Sequence, residues 1–114
     1  MRSDRRDAGT VTAELAACLP VLVLIVAVAV SSVTVAAARV RVQDAAREAA
    51  RAAARADIGA AASLASTAAP NAVVQLNRVG DLVVARVTVV VHPLASWLPA
   101  MTISERSTAL AEPP

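Results

Sequence analysis

The sequence contains no Phe, no Tyr, no Lys, one Trp, one His and one Cys. A globular core normally draws much of its buried area from aromatic rings and long aliphatic side chains. Their scarcity argues against an ordinary soluble enzyme of 114 residues. A single Cys excludes an intramolecular disulfide and any Cys-based metal cluster. There is no nucleophile elbow, no phosphate-cradling glycine loop and no grouping of His or acids, so no catalytic, cofactor-binding or metal-ligating residues are expected. All 11 basic residues are Arg, and 9 acids leave a net charge of +2. So small an excess is not a nucleic-acid footprint, and no direct nucleic-acid partner is expected.

What is present is equally lopsided. Hydrophobic residues make up 57% of the chain, with Ala at 29 positions and Val at 19. That content argues against disorder, so the hydrophobicity must be concentrated in segments. Residues 15–38, LAACLPVLVLIVAVAVSSVTVAAA, carry no charge. As a helix these 24 positions extend roughly 36 Å, enough to cross a bilayer. Pro20 near the start is tolerated in such a span, and Ser31 and Ser32 can bond back to helix carbonyls.

After the run, residues 39–58 are rich in strong helix formers. At helical spacing Asp44, Arg47, Glu48, Arg51 and Arg55 share one face, while Val42, Ala46, Ala49, Ala53 and Ala60 share the other. The pairs Asp44–Arg47 and Glu48–Arg51 stand at i,i+3. The absence of any breaker from Val21 to Ile58 predicts one long helix that leaves the membrane and continues as a soluble stem. Gly59 reads as its stop, and residues 59–71 read as a linker ending in Pro-Asn. The hydrophobic period then changes to two. Residues 72–79 and 82–91 flank Gly80-Asp81, a hairpin signal, and residues 101–110 alternate as a third, edge strand with Met101, Ile103, Glu105 and Ser107 on one side. Single residues carry bland readings: Cys18 an inert thiol inside the apolar helix, His92 a structural residue at a strand end, and Trp97 the one large side chain able to anchor the β layer. Ala13 and Ala17 have small-xxx-small spacing, which permits close helix approach.

The most informative stretch precedes the apolar run: Gly9-Thr10-Val11-Thr12-Ala13-Glu14, behind the basic residues 1–9. A carboxylate at the edge of a membrane span is costly and needs a partner or a task. A cut after Gly9 would make Thr10 an amino terminus one helical turn from Glu14. Glu14 could then pair with that amine or with the amine of a neighbouring subunit, setting the register of side-by-side helices.

These residues, GTVTAELAACLPVLVLIV, together with DAAREAARAAAR and the C-terminal VVARVTVVVHPL and LPAMTISERSTA, resemble the TadE-like minor pilins (pseudopilins) of the tight-adherence type IV pilus system. The resemblance places Gly9 at the last leader position, Thr10 at the first mature residue and Glu14 at the pilin glutamate. Leu15, where major pilins of this system have Tyr, favours a minor pilin. It implies cleavage by a prepilin peptidase and partnership with other pilin subunits, assembly-platform proteins and the membrane. It also implies a cytoplasmic N-terminus, with the C-terminal module outside and incorporation in an extracellular pilus. The Arg count opposes that orientation, since Arg2, Arg5 and Arg6 face five Arg beyond the span, at 39, 41, 47, 51 and 55. The more specific leader motif is taken to decide.

Two other classes compete. Residues 15–30 could be the apolar part of a secretory signal peptide cut near Ala36-Ala37-Ala38, or the chain could be an uncleaved single-span anchor bearing a small interaction module. The expectation is an α+β membrane protein, not an enzyme. It comprises a leader at 1–9, a long helix at 10–58 with its span at 15–38, a linker at 59–71 and an antiparallel module of about three strands at 72–112. A module that thin is marginal alone and should lean on the stem or on neighbours.

Overall fold

The computed structural model describes residues 4–113, with side chains from Asp7 onward; residues 1–3 of the expected leader lie outside the described residues. The chain folds as two helices and a three-stranded antiparallel sheet, an α+β arrangement 91 × 22 × 18 Å in extent. The long axis is set by α1, Asp4–Ala54, whose 51 residues rise roughly 76 Å.

The helix is unbroken because little in its sequence resists it. Between Gly9 and Gly59 there is no glycine, and Pro20 is the one proline. Pro20 has no N–H to offer the carbonyl of Ala16, yet the helix continues through it. The hydroxyls of Ser31, Ser32 and Thr34 donate to the carbonyls of Ala27, Val28 and Val30 at 2.7, 2.8 and 2.9 Å. The hydroxyl groups of the apolar run are thus satisfied inside the helix, as a lipid environment demands. Among the described residues α1 is the one helix long and apolar enough to cross a membrane, its most apolar window reaching a mean hydropathy of 2.7 with none of that window buried.

The stem departs from the sequence reading at its far end. Helix α1 stops at Ala54 rather than at Gly59, and Ala56 adopts a left-handed φ of 62°. Asp57 then caps a second helix, α2, Ile58–Ala68, by accepting the Ala60 N–H at 2.9 Å. Gly59 lies in the first turn of α2. Most of the segment expected as a linker is therefore helical. Asp is a strong N-cap, and that start signal three residues from Gly59's neighbour Ala60 outweighs the stop signal of the glycine. Pro70 follows α2, and Asn71, a residue type that tolerates left-handed backbone, has φ 63°.

Strands β1 (Val73–Val79), β2 (Leu82–Val91) and β3 (Met101–Leu110) follow in order β1-β2-β3. The first hairpin pairs Val79 with Leu82 across Gly80-Asp81. Gly80 has φ 60° and Asp81 is not left-handed, the pattern of a two-residue turn with glycine first. In β2 the residues Val83, Ala85, Val87 and Val89 face the helices, and in β3 Ile103, Glu105, Ser107 and Ala109 do so, against exposed Ser104, Arg106 and Thr108. On the outer face the Thr88 hydroxyl bonds the Ser104 hydroxyl at 3.0 Å, as their register pairing allows.

The core is a layer of small side chains. Val42, Ala45, Ala46, Ala49, Ala50 and Ala52 of α1 meet Ala61 and Ala65 of α2 and Ala85, Val87, Val89 and Ile103 of the sheet. The expected polar face, Asp44, Arg47, Glu48, Arg51 and Arg55, stays exposed. Asp44 and Arg47 pair at 3.7 Å, whereas among the described residues Glu48–Arg51 does not close. The sheet leans on the stem, as a module without aromatics must. Trp97, expected as its anchor, is instead 82% exposed. Alanine-lined surfaces bring backbones together closely and leave no space for an indole.

Chain direction sorts the connections to two ends. The α1–α2 turn, the Gly80-Asp81 turn and the C-terminal residues lie at the far end, where the Glu112 N–H donates to the Ala54 carbonyl at 2.9 Å and the Ala111 N–H to Asp81 at 2.8 Å. The α2–β1 connection and the β2–β3 loop return toward the apolar half of α1. There Ala69, Pro70, Val91 and His92 share a cavity with Thr34 and Ala38.

Candidate functional site

The residues singled out at the membrane boundary all lie on α1. Gly9, Thr10 and Glu14 are exposed along one uninterrupted helical stretch, ahead of the charge-free run. Thr10 and Glu14 stand four residues apart, so they share a face about one turn, roughly 6 Å, apart along the axis. The Thr10 hydroxyl donates to the Asp7 carbonyl at 2.8 Å, and the Thr12 hydroxyl to the Ala8 carbonyl at 2.8 Å. Glu14 sits at the head of an apolar surface formed by Leu15, Cys18, Leu19, Leu22 and Ile25. The Cys18 thiol is part of that exposed surface.

Gly9, like Gly59, is not held to glycine by its own surroundings. A Cβ built there meets nothing within 4 Å, and its φ is not in the left-handed region. Glycine inside a helix costs about 0.5–1 kcal/mol relative to alanine through backbone entropy. The chain thus carries a weak point in its helix at the Gly9–Thr10 bond, and its own packing does not require it.

The structure adds a pairing that sequence spacing did not reveal. Arg39, the first charge after the apolar run, approaches Glu105 of β3, Nε to Oε1, at 3.6 Å. The contact joins the level at which α1 becomes polar to the level at which β3 does. No local pattern could have shown it, because it depends on how the sheet lies along the stem. His92 is exposed at the end of β2. Among the described residues there is no group of three or more His, Cys, Asp or Glu placed to hold a metal ion.

Comparison with known proteins gives two matches. Residues 9–51 match the family described as TadE-like protein. That segment begins at Gly9, includes Thr10, Glu14 and the whole apolar run, and ends in the stem beside the buried alanines. Over 101 residues, 88% of this chain and 78% of the other, the sequence is 43% identical to a Mycobacterium tuberculosis protein named "Apoptosis inhibitor Rv3655c". No solved structure matches the chain.

Proposed function

The chain belongs to the TadE-like family of the tight-adherence pilus system, and from that membership we propose that it is a minor pilin, matured by a prepilin peptidase that cuts between Gly9 and Thr10. The role is structural rather than enzymatic. The apolar part of α1 holds the subunit in the membrane with its N-terminus cytoplasmic. The new Thr10 amine and the Glu14 carboxylate then provide complementary charges for packing against other pilin subunits on the assembly platform. Incorporation into an extracellular pilus follows.

The observation that carries this reading is Gly9. A helix-weakening residue at an open position suits an outside agent that needs close access to the backbone there. A processing peptidase is such an agent. Glu14 adds support, since a carboxylate heading an apolar face requires a partner in lipid. The reading rests on the family match and on these residues, and draws nothing from the name of the mycobacterial relative.

The competing secretory reading, with a cut near Ala38, is disfavoured by packing. Val35 and Ala38 lie against the core, so removal of residues 1–38 would strip one edge of the folded module. Mass spectrometry of the mature N-terminus separates the readings. Thr10 is expected; Arg39 would establish secretion, and an intact N-terminus in cells that assemble the pilus would establish an uncleaved anchor. Gly9→Ala should retain the leader while leaving the fold intact or stabilised by about 0.5–1 kcal/mol.

A further inference from the structure

We propose that the β2–β3 loop, residues 93–100, is a second membrane contact, whose turn places Trp97 and Leu94 in the headgroup layer of the bilayer that α1 crosses. The proposal rests on reading the apolar run of α1 as a bilayer span.

The loop is built to present apolar groups outward. The Leu98 N–H donates to the Ala95 carbonyl at 3.1 Å, closing a turn with Ser96 and Trp97 at its centre. Trp97 is 82% exposed and Leu94 54%. Trp97 is the sole aromatic residue of the chain, and leaving it in water forfeits the largest burial available to any side chain here. An indole with an apolar body and one N–H donor is suited to a boundary between lipid and water.

The fold puts this loop at such a boundary. A groove between helix and sheet is lined on α1 from Val28 to Arg39 and on the sheet side by Pro93, the first residue of the loop, and Met101, the first after it. Twenty residues suffice to cross the hydrocarbon core, so a span beginning at Leu15 ends near Thr34. Val28 then lies roughly 9 Å inside that limit and Ser31 roughly 4.5 Å inside it. The groove also reaches Ala36 and Arg39 beyond that limit, so Pro93 and Met101 border the stretch in which α1 leaves the hydrocarbon, and the turn springs from that level.

Charge follows the same boundary. Residues 15–38, 58–77 and 87–104 contain no Asp, Glu, Lys or Arg. These three stretches supply the apolar half of α1, the whole of α2 with most of β1, and the β2–β3 loop with its flanking strand ends. The first charges beyond the helix run and beyond the loop are Arg39 and Glu105, which pair at 3.6 Å. On the loop side of that pair residues 15–38 of α1 and the β2–β3 loop are uncharged, with Arg41 beside the end of β2; on the other side lie Arg47, Arg55, Asp57, Arg78 and Asp81. The β2–β3 loop and the helix beside it thus form an uncharged end of the module. One end resting on lipid explains it, and the loop's apolar surface is continuous with the lipid-facing surface of α1.

The single Trp and single Cys make a direct test. The full chain is reconstituted in phosphatidylcholine vesicles, and Trp97 emission is read with lipids brominated either near the headgroup or near the bilayer centre. An environment-sensitive fluorophore on Cys18 reports the span independently. The expected result is blue-shifted Trp97 emission, protected from acrylamide and quenched more by shallow than by deep bromines, at every protein-to-lipid ratio. Leu94→Asp should shift the emission red and reduce the quenching without altering the Cys18 signal. Trp97 open to acrylamide and unquenched, while the Cys18 probe reports lipid, would overturn the loop contact and leave the span standing. Shielding of Trp97 only at high protein-to-lipid ratio would assign the loop to a neighbouring subunit and equally overturn it. A Cys18 probe in water would remove the span and this proposal together.

Discussion

At the scale of single residues, Gly9 and Glu14 illustrate how a side chain can be intelligible only outside its own fold. Neither is buried, and neither contributes to the core. Glu14→Ala should therefore leave stability and leader removal unchanged. If Glu14 pairs with a subunit amine in a low-dielectric setting, breaking that pair costs about 3 kcal/mol, roughly a hundredfold in incorporation. Quantifying the variant in purified pili against the membrane pool measures this. Equal incorporation of variant and wild type would remove Glu14 from the assembly mechanism. Arg39 and Glu105 form a partly exposed pair at 3.6 Å, and such pairs contribute at most about 1 kcal/mol. Their value is as a marker of level along the molecule.

At the scale of elements, the stem helix and α2 are held by alanine. Ala45, Ala46, Ala49 and Ala52 have no exposed surface. Alanine gives each site little buried area, but it lets helix and sheet approach closely, and dispersion between backbones contributes where side chains are short. Such a seam tolerates no enlargement. Ala49→Leu should destabilise the module by about 1–3 kcal/mol through overpacking, seen as a lower thermal midpoint in detergent or lipid; an unchanged midpoint would mean the seam is loose. Asp57→Ala removes the cap of α2 and should cost about 0.5–2 kcal/mol, with faster amide exchange at Ala60 and in the first turn. The two helices also show where sequence reading reached its limit. Helix propensity was legible throughout 39–58, and so was the apolar face carrying Val42, Ala46 and Ala49. The break at residues 55–57 was not, because Ala56 in left-handed backbone has no sequence signature and Gly59 offered a more conventional stop. The strands were legible almost to the residue, since β2 and β3 coincide with the expected 82–91 and 101–110 and β1 begins one position late, at Val73.

At the scale of the whole molecule, the sheet is not an independent body. Its inward residues Val83, Ala85, Val87, Val89 and Ile103 cover and are covered by the stem. A fragment of residues 72–112 presents those residues to water on one face, and three strands with so little apolar area cannot offset the entropy of ordering them. That fragment should show no cooperative unfolding by circular dichroism, whereas residues 34–113, which keep Val35 and Ala38, should. A cooperative transition in the shorter fragment would contradict the shared core. The elongated shape, 91 Å by 22 Å, follows from one helix that is bare for its first half and clothed by α2 and the sheet for its second.

The long apolar helix run, the amphipathic stem and the three strands were all decided locally. Each depends on composition, spacing or a turn residue within a few positions, and physical chemistry at that range is written directly in the residue order. The choice of alanine as core, the burial of the stem against α2, the exposure of Trp97 and the meeting of Arg39 with Glu105 were decided by tertiary structure. They depend on how far along α1 the returning chain is laid down, which the antiparallel register and the Asp57-capped turn determine together. For that reason an indole that composition suggested as an internal anchor stands instead exposed in the loop between β2 and β3.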